Sequence, residues 1–219
     1  EILSNMVFSP IFPEDEILRE IEVVKEEEMS SKDDTQSYIW QSFSGKFFGD
    51  HYLGTPVIGT QETIAKFTRD EIAKFHSRFC NRKDAIVSLC SNLTKKESKA
   101  LLTKYFGKAS GRTKTHYKFD DPSYPESSEM NIVRPGIEHT YVWMGMPSIT
   151  KGSRLSPAVE LLTTILGSGM DSRLFEEVRE KRGLVYGVSA SSSEWQRGGL
   201  SLVEFSTRDS NVKEGIEVV

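Results

Sequence analysis

Apolar residues near the start of the chain recur at helical spacing. Acidic residues follow Pro13 and fill the first turn of a predicted helix, where negative charge favours the helix dipole. The apolar residues that share one face of this helix are Ile17, Leu18, Ile21 and Val24. Residues 35–48 carry aromatic side chains too closely spaced for all of them to lie at a surface, and Gly49 follows them. The pattern predicts two consecutive helices, of which the second is partly buried.

Two signals of helix initiation come next. Thr68 with Glu71, and Thr94 with Glu97, have the spacing of a capping box, in which each residue bonds the backbone of the other. The helices that they predict cover residues 69–79 and 95–105.

An apolar run lies between these two helices. Residues 85–90 are almost entirely apolar, which predicts a buried strand. Cys80 and Cys90 flank a turn in these apolar surroundings, and we interpret them as reduced core residues. A disulfide or a metal-binding pair is the alternative for the two cysteines.

The second half of the chain alternates between strand and helix patterns. Strands are predicted at 132–133, 140–146, 184–191 and 200–206. Helices are predicted at 157–166, at 172–181 and from about residue 211. Residues 108–128 are rich in Gly, Ser, Thr, Lys and Pro, which predicts a linker between two domains. The order of elements predicts an α+β fold.

Composition and charge narrow the class of protein. The 219 residues have a formal net charge of -4, with 37% hydrophobic and 27% charged residues, which is enough apolar content for a buried core. The negative balance disfavours nucleic acid as a partner. No apolar run approaches the ~20 residues that a helix needs to span a membrane. We therefore expect no nucleic-acid partner and no membrane span.

The most informative stretch for chemistry is 166–190, where a glycine turn, a charged helix and a strand follow one another. Arg179 and Tyr186 lie on either side of the junction between that helix and that strand. A guanidinium and a phenol hydroxyl presented together can bind a peptide carbonyl and the oxyanion formed when that carbonyl is attacked. The alternative is a surface helix whose charges form solvated pairs, followed by a tyrosine that packs in its strand.

Two stretches resemble a known family. They are LGSGMDSRLFEEVREKRGLVYGVSA at 166–190 and HYLGTPVIGTQETIAKFTRDEIAKFHSRF at 51–79. The chain is similar to the pitrilysin/insulinase family of zinc metallopeptidases, and most similar to the branch that contains mitochondrial processing peptidase and the bacterial processing proteases. The resemblance implies two related two-layer domains, both truncated here. Residues 1–107 would be the later part of the N-terminal peptidase domain, and 129–219 the early part of the C-terminal peptidase-like domain.

The family's metal site is an H-x-x-E-H motif on one helix, completed by a Glu on a later helix. The segment EIEVVKEE resembles the family segment that holds two acids seven residues apart, which implies Glu27 as the zinc ligand and Glu20 as a catalytic carboxylate that orients the ligands. Seven residues are close to two helical turns, so both acids share a face about 10 Å apart along the axis. Glu26 and Glu28 adjoin Glu27, which leaves the register open by one residue, and Glu26 is the first alternative ligand. The acids can also simply solvate the helix.

The histidines of the motif are absent. None of the 4 histidines has a partner His four residues away with a Glu beside it. In the family's architecture the motif would precede Glu1. The last predicted helix stops without a C-cap and the start lacks a leading strand, so we expect the chain to be a piece of a longer protein, cut on both sides. Catalytic Zn²⁺ takes about three protein ligands and a water. We expect residues 1–219 alone neither to bind zinc tightly nor to cleave peptides.

For the intact protein the resemblance implies a zinc-dependent endopeptidase that hydrolyses unfolded peptides or presequences, with the peptide bound as an added edge strand. Arg179 and Tyr186 would bind the substrate backbone and stabilise the oxyanion. The alternative is a catalytically inactive homologue that acts as a scaffold or partner subunit of a processing peptidase. The resemblance also implies a homodimer or a heterodimer with a related subunit, in the bacterial cytoplasm or the mitochondrial matrix.

Overall fold

The computed structural model describes residues 1–80, 85–107 and 119–219. It divides into two compact units. The first unit comprises Glu1–Tyr38 and Val57–Lys118, and the second comprises Ile39–Pro56 and Phe119–Val219. Part of the predicted linker, 108–118, lies outside the described residues, and the predicted domain boundaries stay a prediction.

The amino-terminal half of the chain is helical. Its helices are α1 (Ile2–Phe8), α2 (Glu14–Asp33), α3 (Thr35–Phe48), α4 (Gln61–Ile64), α5 (Arg69–Phe79) and α6 (Lys95–Phe106). A 3₁₀ turn covers Tyr52–Gly54. The predicted helices are confirmed as α2, α3, α5 and α6. From Ile39 onward, α3 belongs to the second unit.

Both predicted capping boxes are present. The backbone N–H of Thr68 donates to a carboxylate oxygen of Glu71 at 3.0 Å, and the Glu71 N–H donates back to the Thr68 hydroxyl oxygen at 3.3 Å. Thr94 and Glu97 repeat this arrangement at 2.9 and 3.3 Å. These bonds satisfy backbone donors that the first turn of a helix leaves free, which explains where α5 and α6 begin.

Two predicted strands are wrong. Residues 85–90 form no strand and are exposed, with Ile86 at 95% of its maximal exposure, and 132–133 also lie outside any strand. The described part of the chain pairs no strand with either segment. A strand without a partner leaves its backbone N–H and C=O groups without ladder hydrogen bonds, so local propensity alone does not produce one.

The interpretation of the cysteines is half right. Cys80 and Cys90 are both free, which agrees with the reduced state that the sequence predicts. Both are exposed, so their placement in a core is wrong. The reason is the same as for 85–90, since the core position of Cys90 depended on that strand.

The second unit contains the sheet. Its elements are β1 (Thr140–Pro147), α7 (Ser156–Gly167), a π-helix (Phe175–Glu180), β2 (Val185–Glu194), β3 (Gly199–Thr207), a 3₁₀ turn (Asp209–Asn211) and α8 (Val212–Val218). The three strands are antiparallel in the order β1-β3-β2. Helices combined with a small antiparallel sheet confirm the predicted α+β class.

Two hydrophobic clusters hold the second unit together. The first consists of Leu174, Val178, Leu184, Val185, Val188, Ala190 and Phe205. The second consists of Phe47, Phe48, Leu200 and Leu202, bordered by aromatic side chains such as Trp40 and Trp143. The first cluster joins the π-helix to β2 and β3, so it fixes the segment that carries Arg179.

Among the helices of the described residues, none is long and apolar enough to cross a membrane.

Candidate substrate-binding site

The π-helix is anchored to the core through one of its faces. Leu174 and Val178 lie in the first hydrophobic cluster, and Val178 is fully buried. Gly169, with a φ of 101°, forms the turn that leads into this segment, a conformation that glycine adopts without strain. Because the buried residues face the sheet, the neighbouring Arg179 remains accessible from outside.

The segment predicted as a helix at 172–181 contains a π-helix, Phe175–Glu180. The Lys181 N–H donates to the carbonyl of Glu176 at 2.9 Å, five residues back, which is the bond of a π-helix. The Leu184 N–H then donates to the Val178 carbonyl at 3.0 Å and closes the turn into β2. Short π-helical turns are often found at functional sites, because they widen the helix and change the direction of its side chains.

Tyr186 occupies a bulge in β2. Val185 pairs with Thr207 of β3, and Gly187 pairs with the next residue, Ser206, so Tyr186 has no counterpart in the register. A bulge of this kind redirects one side chain and bends the strand. Val185 is buried, whereas Tyr186 is 84% exposed. The bulge therefore presents the phenol ring to the outside.

The structure brings Arg179 and Tyr186 together. The guanidinium carbon of Arg179 lies 5.6 Å from the centroid of the Tyr186 ring and 4.5 Å from the centroid of the Phe175 ring. The sequence reasoning missed Phe175. Its spacing of four residues before Arg179 was the available signal, because residues at i and i+4 of a helix are neighbours on its surface.

The acids of this segment pair with other cations. Lys181 forms ion pairs with Glu177 at 2.6 Å and with Glu176 at 3.0 Å, and Arg182 forms one with Glu177 at 2.8 Å. Hydrogen bonds from Lys181 and Arg182 lower the pKa of Glu177, and those to Glu177 and Glu176 raise the pKa of Lys181. Within the described ranges, the guanidinium of Arg179 has neither an ion pair nor a hydrogen bond. Its N–H donors remain available to a ligand.

The predicted metal-site acids lie in the first unit. Glu20, Glu26 and Glu27 are exposed on α2, and none of them pairs with another side chain of the described residues. No group of three or more potential metal ligands occurs in the part of the chain that the structure describes. An unpaired carboxylate such as that of Glu27 has the chemistry of one ligand of a zinc ion.

Glu28, next to Glu27, is in a different environment. It is 1% exposed, pairs with Lys32, and accepts a hydrogen bond from Gln61 Nε2 at 2.9 Å. The same Gln61 nitrogen donates to the Lys25 carbonyl at 2.8 Å, which fastens α4 to α2. Hydrogen bonds from Lys32 and Gln61 lower the pKa of Glu28. The carboxylate of Glu28 is already bonded to Lys32 and Gln61, which distinguishes it from the three exposed acids.

Comparison with known families identifies the chain's class. The family profile described as Peptidase M16 inactive domain matches residues 66–219, which is more than half of the chain. The chain belongs to the M16 peptidase family. This confirms the resemblance to zinc metallopeptidases.

Individual relatives agree with that assignment. The chain is 30% identical over 190 residues to an uncharacterized zinc protease of Mycobacterium leprae, covering 86% of the chain and 43% of the relative. It is 29% identical over 226 residues to an uncharacterized zinc protease of Streptomyces coelicolor, covering 100% of the chain and 49% of the relative. The chain thus spans about half the length of the curated relatives it matches.

Solved structures share the fold. A peptidase M16 inactive domain from Pseudomonas fluorescens superposes with a TM-score of 0.84 at 23% identity, over 99% of this chain and 53% of that one. A protease from Helicobacter pylori gives a TM-score of 0.80 at 21% identity, over 99% of this chain and 55% of that one. At these identities the likeness establishes the fold alone.

Proposed function

We propose that this chain forms part of a zinc-dependent endopeptidase that hydrolyses unfolded peptides or presequences, and that Arg179 and Tyr186 bind the substrate backbone. The observation that carries the proposal is the guanidinium of Arg179, which has no ion pair or hydrogen bond among the described residues and whose carbon lies 5.6 Å from the centroid of the exposed Tyr186 ring. A half-buried cation with no acceptor among the described residues, next to a phenol hydroxyl, is a ready binding site for an oxygen of the substrate.

The chemistry follows from the two donors. The guanidinium of Arg179 donates N–H groups to the carbonyl oxygen of the scissile peptide and holds it in place. As that carbonyl is attacked, negative charge develops on its oxygen, and the Tyr186 hydroxyl donates a second hydrogen bond to it. Donors that are aimed in advance at a developing oxyanion lower the barrier without reorganisation.

The second element of the proposal is the metal. We assign Glu27 as a zinc ligand and Glu20 as the carboxylate that orients the ligands, which agrees with their exposed and unpaired state. When bound, zinc supplies an activated water at neutral pH. The occupied carboxylate of Glu28 supports Glu27 over its buried neighbour, and Glu26 remains the alternative.

A catalytically inactive scaffold or partner subunit is the second candidate. The match to an M16 inactive domain is compatible with this candidate as well as with the first. In such a subunit Arg179 would bind peptide without supporting hydrolysis. A related subunit, in a homodimer or a heterodimer, is the partner that we propose in both cases.

One experiment separates the two candidates. The intact protein is assayed for zinc-dependent cleavage of an unstructured peptide, and Arg179→Ala is compared with wild type. The enzyme proposal expects a loss of kcat/KM of at least 100-fold, on the order of one lost oxyanion donor. Arg173→Ala, which changes an exposed arginine of the same segment, is the matched control and should retain activity. An intact protein that binds peptide but never cleaves it supports the scaffold, and equal rates for Arg179→Ala and wild type would falsify the assignment of Arg179.

A further inference from the structure

Phe175 contacts both the core and the candidate site. Its side chain packs against the first hydrophobic cluster, which contains Val178 and Leu174. Its ring centroid lies 4.5 Å from the guanidinium carbon of Arg179. The core therefore holds the ring while the ring contacts the guanidinium.

Contact with a ring face restrains a guanidinium without using its donors. The N–H groups of arginine lie in the plane of the guanidinium, so stacking occupies the flat face and leaves the fork free for an acceptor. An exposed arginine that is not restrained samples many rotamers, and ordering it on binding opposes the binding. Arg179 has Phe175 nearby and Tyr186 at 5.6 Å, so two rings restrict it.

We propose that Phe175 is a positioning residue, which holds the Arg179 guanidinium in the orientation that binds the substrate carbonyl. This inference rests on the proposed function of Arg179. Phe175 acts through Arg179, so its removal matters only while Arg179 is present. The aromatic face is the required property, and an aliphatic side chain of similar size does not replace it.

The test is a double-mutant cycle in the intact peptidase, with steady-state cleavage of an unstructured peptide. Phe175→Leu should lower kcat/KM about 2-fold to 30-fold, the range expected for loss of a cation–π contact. Phe175→Tyr should keep the wild-type rate. In an Arg179→Ala background, Phe175→Leu should have no further effect. Phe67→Leu, at a 54% exposed phenylalanine, is the matched control and should leave the rate unchanged.

The outcomes of this cycle separate the proposed function of Arg179 from the positioning role of Phe175. If Arg179→Ala cleaves like wild type, the proposed function fails. If Arg179→Ala loses activity but Phe175→Leu lowers the rate by the same factor in both backgrounds, the positioning role fails and the function of Arg179 stands. Phe175→Met is measured alongside, so that the cycle does not depend on the folding of a single variant.

A spectroscopic readout is independent of activity. In wild type, the NMR resonance of the Arg179 Nε–Hε group should show an upfield ring-current shift and a high order parameter. Both should persist in Phe175→Tyr and be lost in Phe175→Leu. An unchanged Arg179 resonance in Phe175→Leu overturns the inference.

Discussion

The guanidinium carbon of Arg179 lies 5.6 Å from the ring centroid of Tyr186, although Arg179 is the second-last residue of a π-helix and Tyr186 the second residue of a strand. The short connection between them closes with a hydrogen bond from the Gly183 N–H to the Arg179 carbonyl at 2.9 Å. The two polar groups are therefore presented together by backbone geometry and do not depend on a hydrogen bond between their side chains.

The first prediction concerns the phenol hydroxyl. In the intact protein, Tyr186→Phe removes one donor and keeps the ring beside Arg179. We expect kcat to fall by about 100-fold to 1000-fold, because one oxyanion donor is lost. The melting temperature should not change, since Tyr186 is 84% exposed. Steady-state kinetics and a thermal melt measure both effects.

The control for this prediction is Tyr52→Phe, at a tyrosine that is 38% exposed and outside the site. It should leave kcat unchanged. Full activity of Tyr186→Phe would show that the phenol is an ordinary surface group, as in the alternative interpretation of the sequence.

The second prediction concerns the metal ligand. In the intact protein, Glu27→Gln should remove bound zinc and activity together. Glu20→Gln should weaken zinc affinity less, by about 10-fold to 100-fold, because it orients the ligands and does not bond to the metal. Metal analysis after dialysis, together with a peptide-cleavage assay, measures both.

Glu26→Gln is the matched control for the register on α2. It should keep zinc and activity. Loss of zinc in Glu26→Gln, with retention in Glu27→Gln, would move the ligand by one residue.

The third prediction concerns Gln61. Gln61→Leu leaves the buried carboxylate of Glu28 and the Lys25 carbonyl without their amide donor. Loss of a hydrogen bond to a buried polar group costs about 1 to 3 kcal/mol. We therefore expect the free energy of unfolding to fall by about that amount, as measured by urea denaturation.

Gln36→Leu, at an exposed glutamine of α3, is the control and should shift the unfolding free energy by less than about 0.5 kcal/mol. Equal effects of the two substitutions would mean that the Gln61 amide does not stabilise the link between α4 and α2.

The fourth prediction concerns pH. The pKa of Glu177 is lowered in the folded state by hydrogen bonds from Lys181 and Arg182. A carboxyl with a lowered folded pKa stabilises the fold above its unfolded pKa, and this contribution is lost as the pH falls through the folded pKa. We expect NMR titration to find the pKa of Glu177 below its ordinary value, and Lys181→Met to move it upward.

Lys151→Met, at a lysine in the loop before α7, is the matched control. It should leave the titration of Glu177 where it is in wild type. If Lys181→Met gives the same titration curve as wild type, the ion pair between Lys181 and Glu177 is absent in solution.

Much of the fold was predictable from local sequence signals. The capping boxes at Thr68 and Thr94 define where α5 and α6 begin, because the bonds that make them join residues three apart. The strands at 140–146 and 200–206 were recognised for a similar reason, since apolar patterning over a few residues is visible without knowing the partner. The apolar run at 85–90 shows the limit of that reasoning, because an apolar run needs a partner strand to become one.

For the candidate site, too, the sequence indicates the residues, and the tertiary structure decides how they are arranged. The sequence by itself determined the candidate residues, since Arg179, Tyr186, Glu20 and Glu27 are proposed from residue type, spacing and resemblance. Only the tertiary structure decided that Tyr186 lies in a bulge, because the register between β2 and β3 depends on residues about twenty positions away. The stacking of Arg179 on Phe175, and the separation of the buried Glu28 from its exposed neighbour, likewise follow from packing against the core and against α4. Local patterns specify elements and candidate groups, whereas their orientation depends on long-range contacts that no short window of sequence contains.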